Sequence, residues 1–224
     1  MAALFMISFP HSVRDMFGDR PSNPRAMTDF YTFTVRAEPQ AVQLASESRE
    51  SRPVGPEGGD PLGTRGPETG GQGRLVGYAI TPRSMPRLWV TTALTLVWLP
   101  WVARFLTGGY GVGLGAIPRV FRGKLAFARS FRPENDTVAQ ILSVAVDPAW
   151  RGRGVGQALL GRGLAYLREQ RVPRVKLEVL DDNAPARHLY ESMGFRPAGE
   201  VPYGSRRWII MVKDLSPVQG RARA

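Results

Sequence analysis

The most informative segment of the chain is residues 141–156, ILSVAVDPAWRGRGVG. Its first part, Ile141–Val146, carries no charge and is typical of a buried strand. Asp147-Pro148 ends this strand, and an Arg- and Gly-rich turn leads into a second apolar segment, Val155–Arg168. Leu160, Leu164 and Leu167 fall at helical spacing there, so the pattern predicts a strand, a glycine-rich turn and a helix in direct succession.

This junction of strand, turn and helix has the composition of an anion site. Glycine lets the backbone approach a ligand closely, and free N–H groups and the dipole at a helix N-terminus attract negative charge. Arg151 and Arg153 add charge-assisted donors, which makes a pyrophosphate the natural ligand. The Gly-Lys-Ser/Thr ending of a Walker loop is absent, and Gly154-Val155-Gly156 continues into Ala158-Leu159, which breaks the dinucleotide pattern. An ordinary strand–helix turn without a ligand remains the alternative.

The segments that follow continue this α/β pattern. In Val175–Leu180 the apolar residues alternate, which puts Lys176 and Glu178 on the opposite side of a predicted strand. The segment Ala184–Met193 reads as a short helix that begins after the capping residue Asn183, with Pro185 in its first turn and Gly194 at its end. Two final strands are predicted at Phe195–Ala198 and Trp208–Val212.

Two motifs in this region resemble one enzyme family. Arg151-x-x-Gly154-x-Gly156 after a strand resembles the first signature of the GNAT acetyltransferases. Asn183-x-x-Ala186-x-x-Leu189-Tyr190-x-x-x-Gly194-Phe195 resembles their second motif, in the right order and at the right separation. Glu178-Val179 followed by Tyr190 is similar to the pattern of the RimI-type ribosomal-protein alanine acetyltransferases. The resemblance covers roughly the C-terminal third of the chain.

The resemblance implies a fold and a way of binding acetyl-CoA, the acyl-donor substrate. The fold would be α/β (α+β), with a central mixed, mostly antiparallel sheet that splays between strands four and five and helices on both faces. No metal is implied. The residues implied in acetyl-CoA binding are Val144, Ala145 and Val146 beside the pantetheine arm, Arg151, Gly152, Arg153, Gly154, Val155 and Gly156 around the pyrophosphate, and Asn183 at the cofactor arm.

The resemblance also implies two catalytic residues. An α-amine or a lysine must lose a proton, with a pKa near 8 or about 10, before it can attack an acetyl group. Glu178 would accept that proton directly or through water, and Tyr190 would protonate the departing thiolate. The alternatives are a solvent-facing strand carboxylate and a packed helix aromatic. His188 reads as a surface residue of the helix, and Tyr203 is a candidate for the acceptor site.

Composition limits the other chemistry. The chain has no cysteine, which excludes disulfides, thiolate metal sites and a Cys nucleophile. Its two histidines, His11 and His188, are far apart and argue against a histidine-rich metal site. A formal net charge of +11 favours a polyanionic partner such as nucleic acid, an anionic membrane or a phosphate-rich cofactor, or reflects biased composition. No nucleic-acid-binding module is recognisable, so nucleic acid is not expected.

The N-terminal part of the chain is less clearly patterned. Predicted there are a helix over residues 1–20, a helix at Pro24–Val35, strands at Ala41–Ser46 and Leu75–Ile80, a disordered loop at 49–74, and a helical, glycine-rich insertion at 83–136. Leu88–Ala103 is the most apolar segment and is shorter than the roughly 20 residues a membrane span needs. We expect a core or lid helix. Contact with a membrane surface is a less favoured alternative.

These observations give one overall expectation. Residues 1–215 form a single domain with the acetyl-CoA core at 138–213 and a flexible tail at 216–224, as a monomer or homodimer. The first 20 residues lack the pattern of a signal peptide, which predicts a cytoplasmic protein. The expected activity is acetyl transfer to a primary amine, either a protein N-terminus or a Lys. The alternatives are a small amine (aminosugar, polyamine, antibiotic) and a non-catalytic, membrane-docked acyl-CoA-binding protein.

Overall fold

A computed structural model describes residues 1–9, 24–47, 74–94, 99–107, 138–203 and 206–215. Its helices are α1 (Ala2–Ser8), α2 (Pro24–Ala37), α3 (Met85–Leu94), α4 (Leu99–Leu106), α5 (Val155–Glu169) and α6 (Ala184–Ser192), with short 3₁₀ turns at Pro39–Ala41 and Pro148–Trp150. Its strands are β1 (Val42–Ser46), β2 (Leu75–Ile80), β3 (Val138–Gln140), β4 (Ser143–Val146), β5 (Arg174–Leu180), β6 (Arg196–Tyr203) and β7 (Arg206–Asp214).

The strands form two sheets. One has the order β1-β2-β4 with both pairs antiparallel, and the other has the order β3-β5-β7-β6. Only the β3–β5 pair is parallel among the described strands. The expectation of a mixed, mostly antiparallel arrangement is therefore confirmed.

The chain passes from one sheet to the other at Ile141-Leu142. The amide of Ile141 donates to the carbonyl of Lys176 on β5 at 2.9 Å, whereas the amide of Leu142 donates to the carbonyl of Ile80 on β2 at 2.9 Å. The prediction of one uniform strand over Ile141–Val146 is therefore wrong, because the chain changes hydrogen-bonding partner there. As a result β4 and β5 belong to different sheets, which confirms the splay between strands four and five.

Helices cover both faces of the three-stranded sheet. On one face α5 packs Val155 and Leu159 against Val76 and Ala79 of β2. On the other face α1 and α2 bury Leu4 and Tyr31 against Tyr78, Ile80 and Ala145. A third apolar cluster joins α5 and α6 to the apolar side of β5. The helix α5 thus contacts both sheets across the point where they separate.

Most predicted elements are confirmed within a few residues, and two helices differ. The helix predicted over residues 1–20 ends at Ser8, because Phe9, immediately before Pro10, has a non-helical backbone (φ −129°, ψ 57°). The predicted helix Leu88–Ala103 is described as two helices, α3 and α4, each with a proline at its second position, where proline is tolerated. The two final strands are longer than predicted.

Several predictions fall outside the described residues. These are the remainder of the first helix, the loop 49–74 apart from Arg74, most of the Gly-rich part of the insertion and the tail 216–224. Within the described ranges, none of the helices combines the length and the apolar character needed to cross a bilayer.

Candidate active site

The edge of β4 that faces β5 is open. The amide of Asp147 donates to the carbonyl of Val76 on β2 at 2.8 Å, and backbone groups alternate between the two sides of a strand. Val144 and Val146 therefore direct their N–H and C=O groups away from β2. Ala145 is turned the other way, opposite Tyr78 on β2, with its side chain buried. Of the three strand residues that sequence reasoning grouped together, two reach the open edge.

The facing edge of β5 is also open over its second half. The strand β3 pairs with β5 only at Arg174, Val175 and Lys176. In the part of the chain that the structure describes, Leu177–Leu180 has no strand partner on this side. The two edges thus form a V-shaped gap whose narrow end lies at Gln140–Ile141.

The glycine-rich turn lies directly after β4. Gly152 (φ +74°) and Gly154 (φ +76°) adopt left-handed conformations that disfavour residues with a Cβ. An added Cβ at either glycine would meet no atom within 4 Å, so the space beside both is open. Gly154 caps α5, whose first internal hydrogen bond is Ala158 N–H to the Gly154 carbonyl, at 2.9 Å. The N–H groups of the first turn are therefore available to a ligand.

The two arginines of the turn are exposed, and each makes a different contact. The Nε of Arg151 donates to the carbonyl of Val146 at 3.2 Å, which ties the turn to the open edge of β4. The guanidinium of Arg153 lies 5.0 Å from the ring centroid of Trp150, a cation–π contact. Both charges are thereby kept beside the N-terminus of α5.

Asp147 anchors the base of this turn, a role that sequence reasoning missed. Its carboxylate accepts the amide of Ala149 at 3.0 Å and a guanidinium N–H of Arg74 at 2.8 Å. The Asp-Pro pair at the end of a predicted strand was the available signal, because Asp readily accepts backbone N–H groups in turns. At the other side of the turn, Gly156 lets α5 approach α6, since an added Cβ would lie 3.2 Å from Leu189.

The helix α6 carries Asn183 and Tyr190. The Oδ1 of Asn183 accepts the amide of Ala186 at 3.3 Å, which caps the helix and leaves the side-chain NH₂ group at an exposed position. Tyr190 is 9% exposed and packs edge-on against Phe195, with ring centroids 6.0 Å apart. Burial raises the pKa of the Tyr190 phenol to about 12, so the phenol is protonated at neutral pH.

Glu178 lies on the opposite side of β5 from this aromatic pair. Val175, Leu177 and Val179 are buried under α5 and α6, so Glu178 points away from those helices. The Nε2 of Gln140 donates to both carboxylate oxygens of Glu178, at 3.0 Å each. Burial raises the pKa of Glu178 to about 7, although Lys176 and the Gln140 hydrogen bonds act in the opposite direction. Sequence reasoning did not identify Gln140.

A chain of three hydroxyls, two buried and one half-buried, lies on the same side as Glu178. The phenols of Tyr31 and Tyr78 are 2.8 Å apart, and the Tyr78 phenol is 3.1 Å from the hydroxyl of Ser143 at the start of β4. Burial raises the pKa of both tyrosines. No sequence pattern pointed to this group, because its members come from α2, β2 and β4.

His188 and Tyr203 are the remaining candidate residues. His188 is exposed on α6, in agreement with the sequence interpretation. The side chain of Tyr203 lies outside the described part of the structure. Within that part, no group of three or more His, Cys, Asp or Glu residues could hold a metal ion.

The sequence of this region matches a known family. The model of the Acetyltransferase (GNAT) family matches residues 71–195, from just before β2 through the splay, the glycine-rich turn, Glu178 and Tyr190. The chain belongs to the GNAT acetyltransferase family.

Curated relatives resemble only part of this GNAT chain. The mycothiol acetyltransferase of Thermobifida fusca (strain YX) is 42% identical over 72 residues, which is 32% of this chain and 22% of that relative. The alignment thus spans about a fifth of that relative's length.

One solved structure agrees with the fold over most of the chain. The crystal structure of SsHAT has a TM-score of 0.55 at 21% identity over 92% of this chain and 93% of that one. The ribosomal-protein-S18-alanine N-acetyltransferase from Escherichia coli has a TM-score of 0.39 at 23% identity, over 68% of this chain and 70% of that one. The GNAT fold expected from the two motifs is confirmed.

Proposed function

We propose that this GNAT chain is an N-acetyltransferase that moves an acetyl group from acetyl-CoA to a primary amine. One observation carries the proposal: the open edge of β4 leads from the glycine-rich turn at its wide end to Glu178 at its narrow end. An elongated ligand with phosphates at one end and a reactive group at the other fits this arrangement. The two sheets share α5, which supports a single domain over residues 1–215.

The residues present fit acetyl-CoA, which supplies the activated acetyl group. The first-turn amides of α5 and the backbone of Arg151–Gly154 would hold the pyrophosphate. The outward backbone groups of Val144 and Val146 would pair with the amide-rich pantetheine arm, as a neighbouring strand would. The side-chain NH₂ of Asn183 is a further donor. The amide of Val144 is the outward one nearer the narrow end and would polarise the acetyl carbonyl.

Glu178 is proposed as the base. A carboxylate with a pKa of about 7 is partly ionised at neutral pH and is a much stronger base than an exposed glutamate. It would take a proton from the ammonium form of the acceptor, directly or through one water molecule. The resulting neutral amine can then attack the acetyl carbonyl, so no covalent enzyme intermediate is required.

Tyr190 is proposed as the acid. Its phenol makes no hydrogen bond to any described residue, and its pKa of about 12 keeps the proton available. The departing thiolate has an ordinary pKa near 8.5 for a thiol, and a phenol beside it would donate to the developing negative charge. Glu178 and Tyr190 would therefore act on different atoms, from opposite faces of β5.

The acceptor is proposed to be a protein N-terminus or a Lys side chain. The presence of both Glu178 and Tyr190, which resembles the pattern of the RimI-type enzymes, favours this acceptor. A small amine is the second candidate. It is favoured by the name of the curated relatives, mycothiol acetyltransferase, although the alignment covers 22% of the Thermobifida protein.

Calorimetric titration of acetyl-CoA and of desulfo-CoA tests the binding half of the proposal. Wild type should bind both, and the double variant Gly154→Glu/Gly156→Glu should bind neither. Gly161→Glu on the same helix, where an added Cβ meets nothing within 4 Å, is the matched control and should bind normally. Failure of folded wild type to bind acetyl-CoA would overturn the proposal.

The acceptor is then identified by release of free CoA. Because the chain has no cysteine, a thiol reagent reports CoA without background from the protein. We would compare a peptide with a free N-terminal alanine, an N-blocked lysine peptide, spermine and glucosamine. Turnover of a peptide only would support the protein acceptor, and turnover of spermine or glucosamine only would support the second candidate.

A further inference from the structure

We propose that Gln140 is a positioning residue that holds the Glu178 carboxylate ionised and aimed at the acceptor amine. The inference rests on the proposed function, since it concerns the base of that reaction. Gln140 is the last residue of β3, immediately before the chain changes sheets at Ile141-Leu142. It therefore stands at the narrow end of the gap, where the acetyl group would lie.

The backbone fixes the Gln140 amide relative to Glu178. Gln140 is paired with Lys176 in the parallel β3–β5 ladder, two residues before Glu178 on the same face of β5. From there its Nε2 reaches both carboxylate oxygens at 3.0 Å, and both side chains are half-buried. Because each carboxylate oxygen has two lone pairs, one amide donor leaves acceptor capacity on both oxygens for a substrate proton.

A neutral amide is suited to this task because it donates a hydrogen bond without carrying a full positive charge. An arginine or lysine at hydrogen-bond distance would lower the pKa of the carboxyl strongly and weaken it as a base. Burial alone would raise the pKa and leave the carboxyl protonated at neutral pH. An amide donor favours the ionised form moderately, and the balance lies at a pKa of about 7.

Few other groups act on this carboxylate. Lys176, two residues earlier on β5, is the charge that lowers the pKa of Glu178. The β7 residues at the corresponding register positions are Trp208, Ile210 and Val212, none of which titrates. On β4, the hydroxyl of Ser143 is engaged with the phenol of Tyr78. Burial, the charge of Lys176 and the hydrogen bonds from Gln140 therefore together set the ionisation of Glu178, and Gln140 is the group that contacts the carboxylate directly.

The test replaces Gln140 and follows Glu178 directly. Gln140→Met keeps length and volume but removes the donor, and Gln140→Glu places a second carboxylate against the first. Gln43→Met, which removes an amide bonded to the Gln40 carbonyl on the edge strand β1, is the matched control. Thermal unfolding checks that each variant is folded. Glutamate labelled with ¹³C at the carboxyl, assigned through Glu178→Gln, reports the ionisation of Glu178 in each protein.

The expected result is an upward move of the Glu178 midpoint by about one pH unit in Gln140→Met, since the amide donor that contacts both carboxylate oxygens is lost, and by more in Gln140→Glu. The acidic limb of the pH profile of kcat, measured with the acceptor that the CoA-release assay identifies, should move by the same amount. The loss in kcat at pH 7 should be several-fold and should disappear at high pH, with KM for acetyl-CoA unchanged. Gln43→Met should behave as wild type.

Two results would separate this inference from the proposed function. An active wild type whose Gln140→Met variant keeps the same midpoint and the same acidic limb would overturn the role of Gln140 alone. A wild type that acetylates none of the acceptors would overturn the proposed function. A moved midpoint in that case would restrict Gln140 to control of the ionisation of Glu178.

Discussion

Glu178 and Tyr190 lie on opposite faces of β5. Tyr190 extends from α6 into the apolar cluster that contains Leu177 and Val179, whereas Glu178 points to the other side, where Gln140 binds its carboxylate. Burial raises both pKa values, that of Glu178 to about 7 and that of Tyr190 to about 12. One strand thus separates a group suited to accept a proton from a group suited to donate one.

Replacing Glu178 should remove a pH-dependent step. We expect kcat/KM of wild type to fall as the pH drops below about 7, because Glu178 becomes protonated. Glu178→Gln should lower kcat by about 100-fold or more and abolish that limb. Rates of CoA release between pH 5.5 and 9 check this. Glu169→Gln, an exposed carboxylate at the end of α5, is the control, and an unchanged limb in Glu178→Gln would contradict the role of Glu178.

The same substitution should change stability with a defined sign. The folded-state pKa of Glu178 is raised above the ordinary glutamate value of 4.5, so the folded state binds this proton more tightly than the unfolded state does. The resulting stability is fully present below about pH 4.5 and is lost as the pH rises through about 7. Relative to Glu178→Gln, wild type should lose up to about 3 kcal/mol of unfolding free energy over that interval. Urea unfolding at several pH values measures the difference.

Tyr190→Phe should separate chemistry from folding. The ring packing against Phe195 is kept and no described hydrogen bond is lost, so stability should change little. Loss of the proton donor should lower kcat by about 100-fold or more, with KM for acetyl-CoA nearly unchanged. Steady-state CoA release and thermal unfolding give the two readouts. Wild-type kcat in this variant would show that Tyr190 is only a packed aromatic.

Gly154 should tolerate asparagine better than alanine. At φ +76° an alanine costs about 1–2 kcal/mol, whereas asparagine adopts left-handed backbone with less strain. Gly154→Ala should therefore lose stability and bind acetyl-CoA more weakly, and Gly154→Asn should retain more of both. Urea unfolding and calorimetry check the order. Equal effects of the two substitutions would argue against a conformational requirement at this position.

Alanine substitutions at two glycines of α5 should have opposite effects on stability. At Gly163 an added Cβ would lie 2.6 Å from Cγ2 and 2.9 Å from Oγ1 of the buried Thr81, so Gly163→Ala should destabilise the protein by about 1–3 kcal/mol. At Gly161 an added Cβ meets nothing within 4 Å, so Gly161→Ala should stabilise the protein by about 0.5–1 kcal/mol through its higher helix propensity. Equal unfolding free energies for the two variants would contradict the close packing of α5 on Thr81.

Local patterns were sufficient for much of the C-terminal region. The turn glycines, the capping Asn183 and the alternation in β5 each act over a few residues, so their structures were predictable from spacing and residue type. The prediction of a helix over residues 1–20 was wrong for a local reason as well, because Pro10 disfavours helical backbone at the residue before it.

The order of strand, glycine-rich turn and helix, the two faces of β5 and the candidates Glu178 and Tyr190 could all be read from the amino-acid sequence. The change of sheet at Ile141-Leu142, the pairing of Ala145 with Tyr78 and the contact of Gln140 with Glu178 became visible only in the folded chain. The difference lies in the sequence separation of the interacting residues. Propensity and capping depend on neighbours in sequence, whereas strand pairing and buried hydrogen bonds depend on residues that are distant in sequence and that meet only when the core forms.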